Sequence, residues 1–87
     1  MEKYKITFKK SVAKDLRNIP NQNIKRILAK FEELSENPRG SGSIKLSGQA
    51  RYRVRQGIYR IIYEIKDDIL VVHVIKVAHR SNVYRDF

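Results

Sequence analysis

Cysteine and tryptophan are absent from this chain of 87 residues, and acidic side chains are scarce. Without cysteine there is no disulfide framework, no thiolate nucleophile and no thiolate metal ligand. No apolar run approaches the roughly 20 residues that a membrane-spanning helix needs. The charged N-terminus is also unlike a signal peptide. These absences predict a cytoplasmic protein that does not contact a membrane.

The charge of the chain is strongly one-sided. There are 19 lysines and arginines against 9 acidic residues, which gives a net charge of +10. Such an excess favours association with nucleic acid or another polyanion, although simple solubility is an alternative reading. The clustering of the positive charge favours a polyanionic partner. A hydrophobic content of 41% supports one modest core, so residues 1–87 are expected to form a single domain.

The N-terminal half reads as a strand followed by two helices. Residues 3–8 alternate apolar and polar side chains, as a half-buried strand does. A helical apolar stripe follows at Val12, Leu16 and Ile19, and a second runs from residue 24 to residue 34. Pro20 separates the two helices. The short connection predicts a helical hairpin that packs both stripes against one sheet.

The C-terminal half reads as a run of strands. Strands are predicted at 51–55, 58–65 and 69–77, joined by two-residue turns at 56–57 and 67–68, and residues 44–46 suit a further short extended piece. The predicted fold class is α+β. Its N-terminal strand and helical hairpin pack on a mainly antiparallel four-stranded sheet, in the order β-α-α-β-β-β, with a short basic C-terminal tail.

Residues 51–60 alternate arginine with apolar residues and contain no acid. The alternation places Arg51, Arg53 and Arg55 on one face of a strand, away from the helices. The predicted turn then sets Arg53 opposite Arg60, and like charges in that arrangement destabilise a hairpin. A bound phosphate would turn the repulsion into a bidentate clamp, whereas the alternative is a solvated basic face.

The same register places His73, Ile75 and Val77 on the arginine side of the last strand. The tail would emerge at that end of the sheet with His79 and Arg80, and Tyr84 could return over it. The result would be a basic cleft beside a tyrosine ring, the combination that holds an unstacked RNA base. Tyr84 could instead cap the core.

Several kinds of active site are missing. There is no paired-carboxylate site, because Glu64 and the two turn aspartates lie at a strand end, and there is no metal-ligand motif or Gly-rich phosphate loop. Neither a metal nor another cofactor is therefore expected. His73 is interpreted as a structural histidine, and His79 as one that titrates near neutrality. RNA cleavage remains open to such a chain, because the ribose 2′-hydroxyl supplies the nucleophile.

Two segments carry a resemblance to a known family. The runs KLSGQARYRVRQGIYRIIYEI and VIKVAHRSNVYR resemble the RelE toxins of prokaryotic toxin–antitoxin systems, within the RelE/ParE superfamily. The resemblance covers essentially the whole chain. It implies a ribosome-dependent, metal-independent endoribonuclease that cuts mRNA in the ribosomal A site. It also implies an antitoxin, similar to RelB, that wraps the toxin into a hetero-oligomer, whereas the toxin alone is expected to be monomeric.

The resemblance also implies roles for individual residues. Arg53 and Arg55 match the positions of base or backbone-charge residues, and Arg60 that of the transition-state stabiliser. Arg80 matches the proton donor or phosphate ligand, and Tyr84 the residue that stacks on the substrate. Further RNA contacts are expected from Lys45, Arg51, His79 and Arg85. Because better-studied members carry lysine at the first two positions, the general base stays open among Tyr84, His79 and a ribosomal group.

Two other functions remain possible for this chain. A ParE-like toxin would bind DNA gyrase without any RNA chemistry, but by resemblance that branch lacks the combined arginine cluster and terminal tyrosine. A plain RNA-binding module would keep the basic cleft without cleaving its ligand.

Overall fold

Two helices and a five-stranded mixed sheet make up the computed structural model, which describes residues 3–46 and 50–79. The elements are β1 Lys5–Phe8, α1 Lys10–Arg17, α2 Asn21–Glu36, β2 Ile44–Lys45, β3 Arg51–Gln56, β4 Tyr59–Lys66 and β5 Val71–His79. The strand order is β1-β5-β4-β3-β2, with β1 parallel to β5 and the other neighbours antiparallel. The predicted α+β class and element order are confirmed. The two-residue β2 adds a fifth strand to the predicted four.

The local sequence accounts for the end of each helix and for the start of α2. α1 ends at Arg17, and Pro20, which cannot donate a backbone hydrogen bond, stands immediately before α2. α2 ends at Glu36, just before Asn37-Pro38, because a residue that precedes proline is disfavoured in the helical conformation. Within the described ranges, neither helix is long and apolar enough to cross a membrane.

The core lies between the helices and one face of the sheet, which we call the helix face. The helices contribute the apolar residues that the stripes predicted, and alternate positions of β3, β4 and β5 complete the cluster. The buried members are Val12, Ile19, Ile27, Phe31, Leu34, Val54, Tyr59, Ile61, Tyr63, Val72, Val74 and Val77. Val77 belongs to this cluster, although the sequence predicted it on the arginine side of the sheet.

The hairpin between β3 and β4 turns one residue later than predicted. Gln56 pairs with Tyr59, so that Gly57 and Ile58 form the turn. Gly57 has a φ of +62°, and a left-handed glycine at the first central position is typical of tight hairpin turns that match the strand twist. The predicted pairing of Arg53 with Arg60 is therefore wrong, and Arg55 pairs with Arg60 instead.

The connection between β4 and β5 also differs from the prediction. Lys66 pairs with Val71, so that four residues form the turn instead of two, and Leu70 adopts a φ of +52°. An irregularity follows, because Ile62 pairs with Lys76 whereas Tyr63 pairs with Val74. The extra residue in β5 is a β-bulge, which shifts the inward and outward pattern of the strand by one position.

A cluster of hydrogen-bonded polar side chains connects the loop after α2 to the end of the sheet. Asp67 accepts hydrogen bonds from both terminal nitrogens of Arg39, at 3.1 and 2.7 Å, and from the Tyr4 hydroxyl at 2.6 Å. The guanidinium of Arg39 is the main cause that lowers the pKa of Asp67 to about 2. Hydrogen bonds to the same carboxylate raise the pKa of Arg39 and that of Tyr4, because they favour the protonated forms.

Stacked tyrosines lie next to this cluster. The rings of Tyr52 and Tyr63 are 5.8 Å apart, and the guanidinium carbon of Arg39 lies 5.5 Å from the centre of the Tyr52 ring. The buried hydroxyl of Tyr63 donates to the Pro38 carbonyl at 2.7 Å. Burial raises the pKa of Tyr63 to about 12, so this hydroxyl stays protonated and acts as a donor.

Candidate nucleic-acid interface

The face of the sheet opposite the helices carries the arginine residues of β3 and β4. Because side chains alternate along a strand, Arg51, Arg53 and Arg55 share one face, and Val54 between them is buried in the core. Arg60 joins them, since it is the direct cross-strand partner of Arg55. We call this surface the arginine face.

Lys76 is a cation on this face that the sequence analysis missed. It is the cross-strand partner of Ile62, which in turn pairs with Arg53. Without the bulge, Val77 would take this side of β5, as the sequence predicted. The Lys76 ammonium lies 4.0 Å from Asp15 Oδ1 at the margin of the sheet. By register, Lys66 of β4 and Lys5 of β1 also lie on the arginine face, so that among the described residues four neighbouring strands contribute seven cations to it.

The four arginines differ in their access to solvent. Arg55 is exposed, Arg51 and Arg53 are half-buried, and only 8% of Arg60 is accessible. A charge near low-dielectric protein is screened less than one in open water, so the inner guanidinium adds to the potential of the whole face. Cross-strand pairing of Arg55 with Arg60 destabilises the hairpin slightly, which an anionic ligand would offset.

Two of the residues expected to contact RNA lie on the helix face. Lys45 pairs with Tyr52, and His79 pairs with Tyr59, which places both on the opposite side from the arginines. The His79 ring stands edge-on to the Tyr59 ring at 6.0 Å, in a cavity of about 440 Å³ that Asp15 and Asn18 also line. The bulge in β5 explains the difference for His79, because it reverses the faces of the residues that follow it.

Three further predicted site residues lie outside the described residues. They are Arg80, Tyr84 and Arg85, which follow the end of β5 at His79. Their predicted roles stay predictions.

A row of polar side chains crosses the arginine face at its other end. Arg51 pairs with Glu64, Glu64 with His73, and His73 with Thr7 of β1. Arg51 Nε lies 3.7 Å from Glu64 Oε2, and Thr7 Oγ1 lies 2.7 Å from His73 Nδ1. The row thus places a carboxylate and an imidazole next to the arginines, in one line across four strands. This row was not predicted from the sequence, because a turn that sets Arg53 opposite Arg60 also sets Arg51 opposite Ile62 instead of Glu64.

The described part of the chain contains no group of three His, Cys, Asp or Glu side chains that could hold a metal ion. The chemistry of the arginine face among these residues therefore consists of cations, one carboxylate and one imidazole. Such a set can bind phosphate through bidentate hydrogen bonds and can transfer protons.

Comparison with known proteins identifies relatives over nearly the full length. Residues 6–84 match the family described as the ParE toxin of the type II toxin–antitoxin system parDE. The putative toxin RelE1 of Methanocaldococcus jannaschii is 32% identical, over 97% of this chain and 98% of that protein. Toxin RelG of Mycobacterium tuberculosis is 27% identical, over 94% of this chain and 97% of its own length. In the crystal structure of the archaeal RelE–RelB complex from Pyrococcus horikoshii OT3, a chain 29% identical superposes with a TM-score of 0.82, covering 92% of this chain and 98% of that one.

Proposed function

We propose that this chain, which belongs to the ParE toxin family of type II toxin–antitoxin systems, is an endoribonuclease that cleaves mRNA on the ribosome and so inhibits translation. The named relatives of the chain are RelE and RelG toxins. Family membership makes the chain a toxin, and the chemistry of its sheet supports RNA as the target.

The observation that carries the proposal is the arrangement of seven cations, among the described residues, on one face of four adjacent strands. Arg53 and Arg55 are two residues apart, about 6.6 Å along β3, so they can contact successive groups of one extended backbone. Guanidinium groups bind phosphate oxygens in pairs, and they can stabilise the added negative charge of a phosphorane. Because the ribose 2′-hydroxyl is the nucleophile, the protein has to align it and stabilise that charge.

Individual roles follow from the arrangement and from the resemblance together. We assign substrate backbone binding to Arg53 and Arg55, and stabilisation of the transition state to Arg60. Arg80 would bind the phosphate or donate a proton, and Tyr84 would stack on a base. Arg51 and Lys76 extend the interface. Lys45 and His79 lie on the helix face, so we assign them no contact with RNA that lies on the arginine face.

We further propose that a RelB-like antitoxin is the physiological partner. The P. horikoshii structure is of a RelE–RelB complex, which supports a partner of that kind here. An acidic segment or an amphipathic helix that covers the arginine face would neutralise the toxin, because it would occupy the same cations that bind RNA.

Primer extension on message in a translating extract tests the proposed cleavage. We expect new 5′ ends within codons when the purified protein is added, and almost no cleavage of the same RNA without ribosomes. An Arg53→Ala, Arg55→Ala double variant should lose this activity while it stays folded. Intact message in the translating extract would refute the proposal.

The tail roles are tested separately by growth arrest. Arg80→Ala and Tyr84→Ala should each abolish toxicity on induction, with circular dichroism showing an unchanged fold. If both variants remain fully toxic, the assignment of the tail to the site is wrong.

A gyrase inhibitor is the second candidate, and the ParE description of the matching family favours it. A supercoiling assay with purified DNA gyrase distinguishes the two functions. Inhibition of supercoiling without any cleavage of ribosome-bound message would favour gyrase as the target. RNA binding without either activity would indicate a non-catalytic module.

A further inference from the structure

The polar row across the arginine face supplies what the arginines lack. We propose that Glu64 is the general base and His73 the general acid of the RNA cleavage proposed above, on which this inference rests. The two residues are direct cross-strand partners of β4 and β5, and both lie on the arginine face.

A proton acceptor is required because a guanidinium cannot serve as one at neutral pH. Imidazole and carboxylate groups are the side chains that most often act as general acids and bases. His79, the histidine favoured by the sequence, lies on the helix face. Among residues 3–46 and 50–79, the arginine face offers Glu64 and His73 for this chemistry.

Glu64 is placed as a base should be. It is the one carboxylate within the described strands, and 31% of its side chain is exposed. The Arg51 guanidinium lies on one side of it, with Nε 3.7 Å from Glu64 Oε2. A ribose bound along β3 would therefore have its 2′-hydroxyl within reach of the Glu64 carboxylate.

His73 is oriented by a neighbour that is not charged. Thr7 Oγ1 contacts Nδ1 of the ring at 2.7 Å, which leaves Nε2 as the atom for the substrate. A hydrogen bond to one ring nitrogen fixes the orientation of an imidazole and the nitrogen at which it exchanges protons. Thr7 is thus a positioning residue, because it acts through His73.

The spacing of the pair suits a single phosphodiester. Directly opposed residues of an antiparallel pair have Cβ atoms roughly 4.5–5.5 Å apart, so their side chains can lie on either side of one phosphate. Arg53 belongs to the neighbouring row, about 6.6 Å along the strand from Arg51. Its guanidinium can bind the non-bridging oxygens of that phosphate, whereas Arg60, four residues or about 13 Å from Glu64 along β4, would act there only through the positive potential of the face.

The proposed step balances without any further reactant. The Glu64 carboxylate removes the proton of the 2′-hydroxyl, and the 2′ oxygen forms a bond to phosphorus. The bond between phosphorus and the 5′ oxygen breaks, its electron pair goes to that oxygen, and the imidazolium of His73 gives it a proton. The products are a 2′,3′-cyclic phosphate and a 5′-hydroxyl, and exchange with water restores both side chains.

The charged surroundings of the pair are cationic. By register, Arg51 of β3, Lys66 of β4 and Lys5 of β1 share this face with Glu64 and His73. A phosphate bound among these cations would lie beside both side chains.

Single-turnover cleavage of ribosome-bound message by Glu64→Gln and His73→Asn tests the pair. Each variant should cleave 10²- to 10⁴-fold more slowly than the wild type, the range typical of general acid–base catalysis. Binding to the RNA substrate should change less than threefold. The pH–rate profile should lose its rising limb in Glu64→Gln and its falling limb in His73→Asn. Asp68→Asn removes the same charge from an exposed turn and should cleave at the wild-type rate.

The outcomes separate this inference from the proposed function. If the wild type does not cleave, the function itself is wrong. If the wild type cleaves and both variants keep more than a third of its rate with unchanged pH profiles, only the acid–base pair is wrong. Should either variant fail to fold, Thr7→Val decides instead. We expect it to lower the rate of cleavage several-fold and shift the falling limb, and Thr7→Ser to restore both; a wild-type rate and profile in Thr7→Val would overturn the role of His73.

Discussion

Arg55 lies directly opposite Arg60 in the antiparallel ladder of β3 and β4. Like charges in this position destabilise a hairpin by a few tenths of a kcal/mol. The hairpin is thus slightly less stable than it need be, and a bound anion would offset the repulsion.

Arg55→Thr should therefore have opposite effects on stability and on RNA binding. We expect a slightly higher midpoint of thermal unfolding, because the repulsion is removed and threonine suits a strand. Affinity for a single-stranded oligonucleotide should fall, and the slope of log affinity against log salt should become shallower by about 0.7, the value for one lost phosphate contact. Arg17→Ala, on α1 and away from the arginine face, should leave the slope unchanged.

The pair of Arg39 and Asp67 should make stability depend on acid pH. The folded pKa of Asp67 is about 2, below the value near 4 of a free aspartate, so its stabilising contribution is present above pH 4 and is lost as the pH falls towards 2. Urea midpoints measured from pH 7 to pH 2 should show the wild type losing its advantage over Asp67→Asn across that interval. Both partners are exposed, so salt should reduce the difference. A constant difference down to pH 2 would contradict the assignment.

Asp15 lies at the edge of β5 beyond the end of β1, and its removal should destabilise that part of the strand. Its Oδ2 accepts a hydrogen bond from the Val77 backbone N–H at 3.2 Å, three residues beyond Val74, where the pairing with β1 ends. Asp15→Ala should cost about 1–3 kcal/mol, the range for a polar group left unsatisfied. Hydrogen exchange at the Val77 amide should accelerate as well. Asp15→Asn keeps an acceptor oxygen and should lose much less protection.

Ile27 and Leu28 are neighbours on α2 and form a matched pair for testing the core. Ile27 is 0% exposed and belongs to the core cluster, whereas Leu28 is 50% exposed. Ile27→Ala should lower the free energy of unfolding by about 2–5 kcal/mol, because it leaves a cavity beneath the sheet. Leu28→Ala should change it by about 0.5 kcal/mol or less. Equal losses, measured by denaturant unfolding, would mean that α2 packs in a different rotation.

The sequence was sufficient for the kinds of element and their order, because apolar periodicity is a local property. The alternation of residues 51–55 correctly placed three arginines on one face, and the stripes of both helices identified most of their buried residues, although the second stripe also included Leu28, which is half exposed. Proline at position 20 and the Asn37-Pro38 pair marked helix boundaries to within a few residues.

Cross-strand pairing was harder to predict, because it depends on the geometry of two turns and on a bulge. Gly57 occupies the first central position of its turn instead of the second, which moves the β3 partner of every β4 residue by two residues. The bulge in β5 has no clear signature among valines and isoleucines. As a result Lys76 was missed, the neighbours Glu64 and His73 were not brought together, and His79 was assigned to the wrong surface.

The extra residue of β5 has a broader consequence for the chemistry of this sheet. Because of this residue, β5 places His73 and Lys76 on the same face although they are three residues apart, a spacing that strict alternation would not allow. Deletion of one residue at the bulge would turn every later side chain of β5 to the opposite face, so that Lys76 would point into the core and Val77 into solvent. The side of the sheet that Lys76 occupies is thus encoded partly by how many residues precede it in β5, and point substitutions alone could not reproduce that change.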